Sequence, residues 1–590
     1  MGVQKSLADR SVMTLKYGEF DVRETVRVCL DGCRYPSGGW VTERSSTLAD
    51  LVMPRKGVGY DVMVFIGRQR FEEHRQREEI QDVLSKEPYH LSISTGQISM
   101  MAHLFLEYLQ RLHEARAREL RAALDSDGGW PLHIDATGED GRGTLLVALS
   151  GWRKWVLGAW KIPTEREEHM VPHLSWVLET FGSPCAIMRD LGAAVAAAAE
   201  AVVEDFDLQI PILACHQHFL ADVGEDLLDE HHNSLRKLFR RFNIRQKLNG
   251  LSRELGRRLD TNVGQAREAL LDWQEHGYQD HFLPSGDLGL AIVRGLCQWA
   301  LDFHADGGGY GFPYDRPYLN LFNRCRYILR ATDAFARTPP NDPKVRKALR
   351  RLSLILQPLL HDKRFSQLSR DLKARVDLFE ELRSALRLMP SSPIDRSQAP
   401  SPQELNDIEA AVQNLSTSLR ERRPSRGPAL DTRDAIDTLL QHLSRHEQFL
   451  WGHVIPLPTG TRLVDRTNNM SENFFHGMKH LERRRSGRKN LTQDFEQLPP
   501  AAALVHNLKQ PDYVSIVSGS IDNLPHAFAQ LDKLDHAKAQ FIPQTSQKMS
   551  RSDQIATAAL PLEDKKIIRR NSMRQAILSA ARSRAPRVSL

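Results

Sequence analysis

The segments PLHIDAT (131–137), TLLVAL (144–149) and WVLGAW (155–160) decide the fold of this chain. Each is a short run rich in apolar, β-branched or aromatic residues, and turn-forming residues separate one run from the next. This pattern predicts three β-strands rather than helices. The first strand carries an aspartate, Asp135, close to its end.

A further strand–helix–strand arrangement follows in the sequence. A helical apolar pattern runs from Met170 to Phe181 and ends at Gly182. The strand CAIMR (185–189) then leads directly into Asp190, an alanine-rich helix covers 193–203, and the strand IPILA (210–214) leads into CHQH (215–218). The sequence therefore predicts an α/β unit in which two strands end in aspartates.

Overall composition sets broad limits on the protein. With 590 residues, the chain is expected to form three or four domains. The net charge of +6 is compatible with a nucleic-acid partner. The six cysteines are scattered, no apolar run approaches the ~20 residues of a membrane helix, and no secretion signal is evident, so we expect a reduced, cytoplasmic protein without membrane contact.

Two N-terminal regions are predicted. Residues 1–70 contain Cys29 and Cys33, which are either half of a degenerate zinc ribbon or two ordinary cysteines beside a turn. In residues 71–128, a charged helix is expected over 71–84, followed by a second helix. Ser94 can cap the N-terminus of this second helix, and Gln97 completes the capping box. This outline fits a helix-turn-helix DNA-binding region, and it fits a plain helical hairpin equally well.

The remainder of the chain is predicted to be mostly helical. Residues 219–460 form an α-helical region with a Pro/Ser-rich linker at about 390–402, residues 461–510 hold a further motif, and residues 511–590 form a basic tail. The tail is either a solvated end or a nucleic-acid reader, and its basic residues are Lys565, Lys566, Arg569, Arg570, Arg574, Arg582, Arg584 and Arg587.

The late motif centres on a helix that begins near Asn468 and carries Glu472 in its first turn. A dense group of cations follows, formed by Lys479, Arg483, Arg484, Arg485, Arg488 and Lys489. If Asp135, Asp190 and Glu472 converge, three carboxylates would suit Mg²⁺ or Mn²⁺. Two such ions about 3.5–4 Å apart catalyse phosphoryl transfer in other enzymes, and the surrounding cations would neutralise a DNA backbone.

These motifs resemble those of bacterial insertion-sequence DDE transposases, specifically the group with a Cys-x-x-His motif and a helical insertion. The matching residues are Asp135, Asp190, Cys215, His218, Asn468, Glu472 and the cations from Lys479 to Lys489. The resemblance spans roughly 131–508. It implies a ribonuclease H-like catalytic core, divided into 129–218 and 461–510 by the helical insertion. It also implies catalysis by Asp135, Asp190 and Glu472 with two Mg²⁺ or Mn²⁺ ions.

The same resemblance implies a function in DNA recombination. The protein would cleave DNA at transposon ends and join the freed 3′-hydroxyl to target DNA. Asn468 and the cations would contact DNA, and a homodimer or larger oligomer would hold two terminal inverted repeats together. Cys215 and His218 would have a structural role, with zinc binding as the alternative. Two other functions remain open: an inactive DNA-binding regulator, or a nuclease of this fold without strand transfer.

Overall fold

The chain is a mixed α/β protein. The computed structural model describes residues 2–6, 10–35, 38–54, 56–139, 142–259, 268, 283, 285–388, 401–425, 430–458 and 460–541. These residues belong to two units. The first comprises Met1–Val62, Pro88–Leu91 and Pro525–Leu590, and the second comprises Met63–Glu87 and Ser92–Leu524.

The described strands, numbered in chain order, have the following bounds: β1 Gly2–Ser6, β2 Arg10–Thr14, β3 Gly18–Val22, β4 Thr25–Val28, β5 Thr42–Glu43, β6 Pro131–Glu139, β7 Arg142–Ser150, β8 Trp155–Lys161, β9 Ala186–Arg189, β10 Ile212–Ala214, β11 Val454–Leu457 and β12 Gly460–Leu463.

The described α-helices are Ser46–Leu51, Tyr60–Phe71, Arg77–Ser85, Thr95–Ala115, Ala117–Ser126, Glu167–Phe181, Ala193–Asp205, His216–Arg241, Ile244–Leu259, Gly286–Leu301, Pro317–Arg337, Pro343–Leu356, Pro358–His361, Lys363–Ala385, Pro402–Glu421, Leu430–Leu450, Asn469–Ser486, Thr492–Gln497, Pro511–Val517 and Leu524–Phe541. Two 3₁₀ helices cover Phe303–Asp306 and Pro500–Lys509.

A five-stranded mixed sheet lies at the centre of the second unit. Its strand order is β10-β9-β6-β7-β8. The β6–β7 and β7–β8 pairs are antiparallel, whereas β6–β9 and β9–β10 are parallel. All five strands were expected from the apolar runs, and helices Glu167–Phe181 and Ala193–Asp205 form the predicted connections. The prediction of an α/β unit is therefore confirmed.

The region between β10 and β11 is helical throughout its described part, as the sequence predicted. The apolar faces of its helices form one extended hydrophobic core that includes Phe219, Phe239, Phe365 and Phe379. Helix His216–Arg241 belongs to this core and begins directly after Cys215, the residue that follows β10. The chain thus passes from the sheet into the helical region without a loop. The predicted Pro/Ser linker falls largely on 389–400, outside the described residues.

A short hairpin that the sequence analysis did not predict follows the helical region. Strands β11 and β12 pair in antiparallel fashion. Ile455 and the nearby Val464 pack against Ala186, Met188 and Leu213 of the central sheet. Trp152 Nε1 also donates a hydrogen bond to the Leu463 carbonyl at 2.8 Å. The hairpin therefore brings the chain back to the sheet immediately before helix Asn469–Ser486.

The first unit is small and rich in β-strands at its N-terminal end. It contains a three-stranded sheet in the order β1-β4-β5 and a β2–β3 hairpin. Val12, Val52, Met53 and Tyr60 are among its buried residues.

The predicted basic tail begins with the helices Pro511–Val517 and Leu524–Phe541, so its first part is folded rather than a tail. The basic residues between Lys565 and Arg587 lie outside the described residues.

The predicted helix over 71–84 is confirmed only in its second part, because it begins at Arg77 and forms the helix Arg77–Ser85. The preceding helix, Tyr60–Phe71, ends at Phe71, so residues 72–76 form a break between the two helices. His74 within the break has a φ of 54°, which a continuous α-helix does not allow. The break lets the His74 ring and the Arg70 guanidinium approach one carboxylate, that of Glu482, each at 3.2 Å.

The capping box at Ser94 is confirmed. Ser94 Oγ accepts a hydrogen bond from the Gln97 backbone N–H at 3.2 Å, and Gln97 Oε1 accepts one from the Ser94 N–H at 3.1 Å. The apolar face of helix Thr95–Ala115 is buried as predicted. Its exposed side carries Met100, His103 and Glu107, and this composition suits a solvated helix better than a face that meets DNA phosphates.

One buried histidine of this helix gives a pH-dependent prediction. His113 Nδ1 lies 2.9 Å from Tyr513 Oη, and Nε2 lies 3.0 Å from the Leu157 carbonyl. Burial lowers the pKa of His113 to about 4, although the hydrogen bond to Leu157 acts in the opposite direction. The folded protein therefore keeps this ring neutral at pH values where the unfolded chain, with a pKa near 6.5, binds a proton.

Because the unfolded state then binds more protons, we expect the free energy of unfolding to fall as pH decreases from about 6.5 to 4. The expected contribution of His113 is about 3 kcal/mol. Denaturant titrations of the wild type and His113→Gln measure it: the variant should be less stable at pH 7.5, and the difference should shrink toward pH 4. A difference that stays constant over this range would contradict the prediction.

Candidate active site

The two predicted aspartates lie side by side on neighbouring parallel strands. In the β6–β9 register, Pro131 pairs with Ala186 and His133 with Met188. The same register, continued by two residues, places Asp135 beside Asp190, which directly follows β9. Neighbouring strands are about 4.8 Å apart, so the sheet holds the two carboxylates close together. The Gly192 N–H donates to Asp190 Oδ1 at 3.0 Å.

Asp135 is buried among other charged groups. Its side chain is 8% exposed, and Oδ1 accepts the Ala136 N–H at 2.8 Å. Burial raises the pKa of Asp135 to about 7, and the negative charges of Asp190 and Glu472 act in the same direction. Asp190 and Glu472 are therefore both near Asp135, which occupies the most enclosed position. Among the described residues, none of the groups of three ligand atoms within 4.8 Å of one another combines these three acids.

Glu472 reaches this cluster from a distant part of the chain. It lies in the first turn of helix Asn469–Ser486, where a negative side chain also interacts favourably with the helix dipole. Glu472 Oε1 is 3.6 Å from His218 Nε2, and Oε2 accepts a hydrogen bond from Gln217 Nε2 at 3.5 Å. The start of the long helix His216–Arg241 thus holds the third acid in place.

Asn468 connects all of these elements and is fully buried. Its Oδ1 lies 3.1 Å from His133 Nδ1 and accepts the Ser471 hydroxyl at 2.9 Å. Its Nδ2 lies 3.4 Å from both Asp135 Oδ2 and the Ile134 carbonyl. A fully buried side chain does not suit the direct DNA contact that was expected of Asn468. Its contacts indicate that it positions Asp135 instead.

Cys215 and His218 lie beside the acids. The buried Cys215 Sγ accepts the Asn468 backbone N–H at 3.2 Å. The nearby Cys215 is the main cause that raises the pKa of His218 to about 9. Cys215, His218 and Glu472 also bring potential metal-ligand atoms within 4.8 Å of one another. The geometry is compatible with the structural role and with the zinc alternative.

The neighbouring histidines have other roles. His216 was considered as a DNA contact, but it is fully buried and its Nε2 lies 2.7 Å from the Leu450 carbonyl. His231 pairs with Asp431 at 3.0 Å, and His232 accepts the Tyr318 N–H at 3.3 Å. Among the described residues, the groups that could hold a metal include neither Cys29 nor Cys33.

Most of the predicted DNA-binding cations are engaged in contacts within the protein. Lys479 Nζ donates to Thr137 Oγ1 at 2.7 Å and to the Gly138 carbonyl at 3.0 Å. Arg483 pairs with Glu139 at 3.0 Å. Arg485 pairs with both Glu482 and Asp494, and Arg488 pairs with Asp494. Arg484, Arg488 and Lys489 are exposed to solvent, so they are the best placed of the group for phosphate contacts.

Several supporting residues were not identified from the sequence. His133, Gln217 and Ser471 contact the acids or Asn468, and Tyr314 Oη donates to the Gln217 carbonyl at 3.3 Å. Gln217 lies within the CHQH motif and His133 precedes Asp135 by two positions. In the sequence, only the closeness of Gln217 to Cys215 and of His133 to Asp135 could have identified these two residues, because the residues that they contact are distant in the chain.

Comparison with protein-family models, with curated proteins and with solved structures finds no match for this chain. Within the described residues, no helix has the length and apolar character needed to cross a lipid bilayer.

Proposed function

We propose that the chain is a DDE transposase with a ribonuclease H-like core, and that it cleaves DNA at transposon ends and transfers the freed 3′-hydroxyl into target DNA. The observation that carries this proposal is the parallel β6–β9 register, which places Asp135 beside Asp190. Glu472 is near enough that its charge, like that of Asp190, raises the pKa of Asp135. The order of the sheet, with three antiparallel strands followed by two parallel ones, agrees with such a core. In this proposal, the helical region between β10 and β11 would be the insertion.

The donor set fits Mg²⁺ or Mn²⁺. All three acids offer carboxylate oxygens, which these ions prefer. Asp135 is a buried carboxylate beside the negative charges of Asp190 and Glu472 and the opposing charge of His218, and a divalent cation would compensate the negative charge that remains. Asp135, Asp190 and Glu472 would hold two ions, which would supply Lewis-acid activation of the attacking oxygen and stabilisation of the leaving oxygen.

The surrounding residues keep these acids in their positions. Asn468 orients Asp135, while Gln217 and His218 orient Glu472. Water would attack the scissile phosphorus and lose its proton to solvent, and the P–O3′ bond would break to leave a 3′-hydroxyl. That hydroxyl would then attack a target phosphodiester and displace the 3′-oxygen of a target strand. Synapsis of two DNA ends would require at least a homodimer.

The experiment that tests this function uses the full chain, Mg²⁺ and labelled DNA that carries the sequences flanking its gene. A transposase produces free 3′-hydroxyl ends and then molecules in which those ends are joined to a second DNA. Cleavage without joining would indicate a nuclease, and tight binding without cleavage would indicate a DNA-binding regulator. Either result would overturn the proposal of strand transfer.

The exposed cations give a prediction about DNA affinity. Replacing both Arg484 and Lys489 by alanine should remove about two phosphate contacts. The slope of log K against log salt concentration should then become shallower by roughly 2, with weaker binding to all sequences. The matched control, Lys373→Ala with Arg420→Ala, removes two exposed charges from the helical region. Equal salt slopes for the two double variants would contradict the assignment.

A further inference from the structure

Two pairs of potential metal ligands face each other in the helical region. Asp222 and Asp226 are four residues apart on helix His216–Arg241, and His442 and His446 are four residues apart on helix Leu430–Leu450. Residues at this spacing project from the same face of a helix. Each helix therefore presents two ligand-bearing side chains to the other.

His442 is held in a geometry that suits a metal ligand. Its side chain is 7% exposed, and Nε2 lies 2.8 Å from Asp226 Oδ2. A carboxylate in this position fixes the ring orientation and directs the lone pair of the other nitrogen away from itself. That other atom, Nδ1, is buried and has no hydrogen-bond partner among the described residues.

The unpartnered nitrogen points toward the rest of the cluster. His442 Nδ1 is 3.5 Å from Asp222 Oδ2. Two ligands of a tetrahedral zinc ion, each bonded at about 2.0–2.1 Å, lie roughly 3.3 Å apart. His446 adds a third ligand, since the ligand atoms of Asp222, His442 and His446 all lie within 4.8 Å of one another. The ligand atoms are thus close to coordinating distance.

A second cluster of possible metal ligands in the helical region is less suited to bind an ion. His231, Asp371 and Asp431 also come within 4.8 Å of one another. However, the Arg375 guanidinium binds Asp431 with hydrogen bonds of 2.6 and 3.0 Å, so a cation already neutralises that carboxylate. Around His442, by contrast, the two carboxylates of Asp222 and Asp226 balance the charge of one divalent ion.

We propose that Asp222, His442 and His446 bind one zinc ion, with Asp226 as the carboxylate that orients His442. The mixed nitrogen and oxygen donors suit zinc better than magnesium, and three protein ligands leave a fourth position for water. The inference does not depend on the proposed transposase activity. The ion would join the two helices near Phe219, whose ring lies 5.7 Å from that of His446, and would stabilise the helix that carries Gln217 and His218.

The test measures zinc bound to the full-length protein after removal of metals with a chelator. The wild type should bind one zinc equivalent more than Asp222→Asn, and zinc should raise the melting temperature of the wild type but not of this variant. Asp222 is half-exposed and asparagine has the same shape, so folding should be preserved. Asp226→Asn should retain the site with an affinity about 10–100-fold weaker.

Two comparisons make the result decisive. Glu472→Gln should keep the zinc equivalent, because this site is separate from the catalytic acids, and the exposed control Asp229→Asn should also keep it. Equal zinc content in the wild type, Asp222→Asn and His446→Gln would overturn the proposal. Loss of the equivalent in Glu472→Gln would assign the ion to Cys215 and His218 instead, and would equally overturn it.

Discussion

Replacing Glu472 by glutamine is expected to reduce Mg²⁺-dependent DNA cleavage by at least about 10³-fold, because the change removes the charge of a proposed metal ligand and leaves the shape intact. Glutamine keeps the hydrogen bond to Gln217 within reach, so the local structure should persist. Glu472 and His218 are both more than one-third exposed, so the loss of their contact should change the free energy of unfolding by less than about 1 kcal/mol.

The measurement is single-turnover cleavage of a labelled DNA end, together with a binding assay on the same DNA. Binding should remain within a few-fold of the wild type. The control is Glu421→Gln, which removes an exposed carboxylate from the end of helix Pro402–Glu421 and should cleave normally. If Glu472→Gln cleaves DNA as fast as this control, Glu472 is not the third acid of the site.

Replacing Glu482 by glutamine is expected to have the largest effect on stability. Glu482 is 2% exposed and accepts hydrogen bonds from Arg70 at 3.2 Å and Arg485 at 2.8 Å. Its other contact is His74. Burial alone would raise the pKa of Glu482, but the hydrogen bonds of His74 and Arg485 and the charge of Arg70 lower it to about 2. The carboxylate is thus charged at every ordinary pH.

Without this charge, the partly buried Arg70 loses its ion pair with Glu482, and Arg485 keeps only its pair with Asp494. Removal of one member of such a buried ion pair costs about 3–5 kcal/mol. Asp82→Asn is the matched control, because the Asp82–Lys86 pair is just as short, 2.6 Å, but is exposed. That change should cost less than about 0.5 kcal/mol. Denaturant unfolding of Glu482→Gln and Asp82→Asn measures the difference between their free energies of unfolding. Equal values for the two variants would mean that burial does not make the Glu482 ion pairs stronger than the exposed Asp82–Lys86 pair.

Much of the sheet and two of the acids could be predicted from the sequence because the signals are local. The apolar runs of β6, β7 and β8 are continuous, and Asp190 directly follows β9 as expected. Asp135, expected near the end of its strand, instead lies in the middle of β6, because β6 continues to Glu139. Parallel strands deliver their carboxyl ends to the same edge of a sheet, so the proximity of these two acids follows from the strand pattern. The capping box at Ser94 is local for the same reason.

The remaining features depend on contacts between distant residues. Asparagine is usually exposed at protein surfaces. Asn468 is nevertheless buried against β6, because the β11–β12 hairpin returns the chain to the sheet. The break between the helices at His74 allows the His74 ring to contact Glu482, which lies far away in the sequence. Arg483 and Arg485 form a basic run in the sequence, yet both pair with acids inside the protein. Periodicity and composition do not carry this information.

The most direct test of the account is a change of metal preference at Asp190. Asp190→Cys replaces a hard oxygen ligand by a softer thiolate, which magnesium accepts poorly and manganese tolerates better. We expect this variant to lose DNA cleavage with Mg²⁺ and to recover it at least about tenfold with Mn²⁺, whereas the wild type should cleave with both ions. Cleavage by Asp190→Cys with Mg²⁺ at the wild-type rate, or an equal loss with both ions, would contradict the claim that Asp190 binds the catalytic metal.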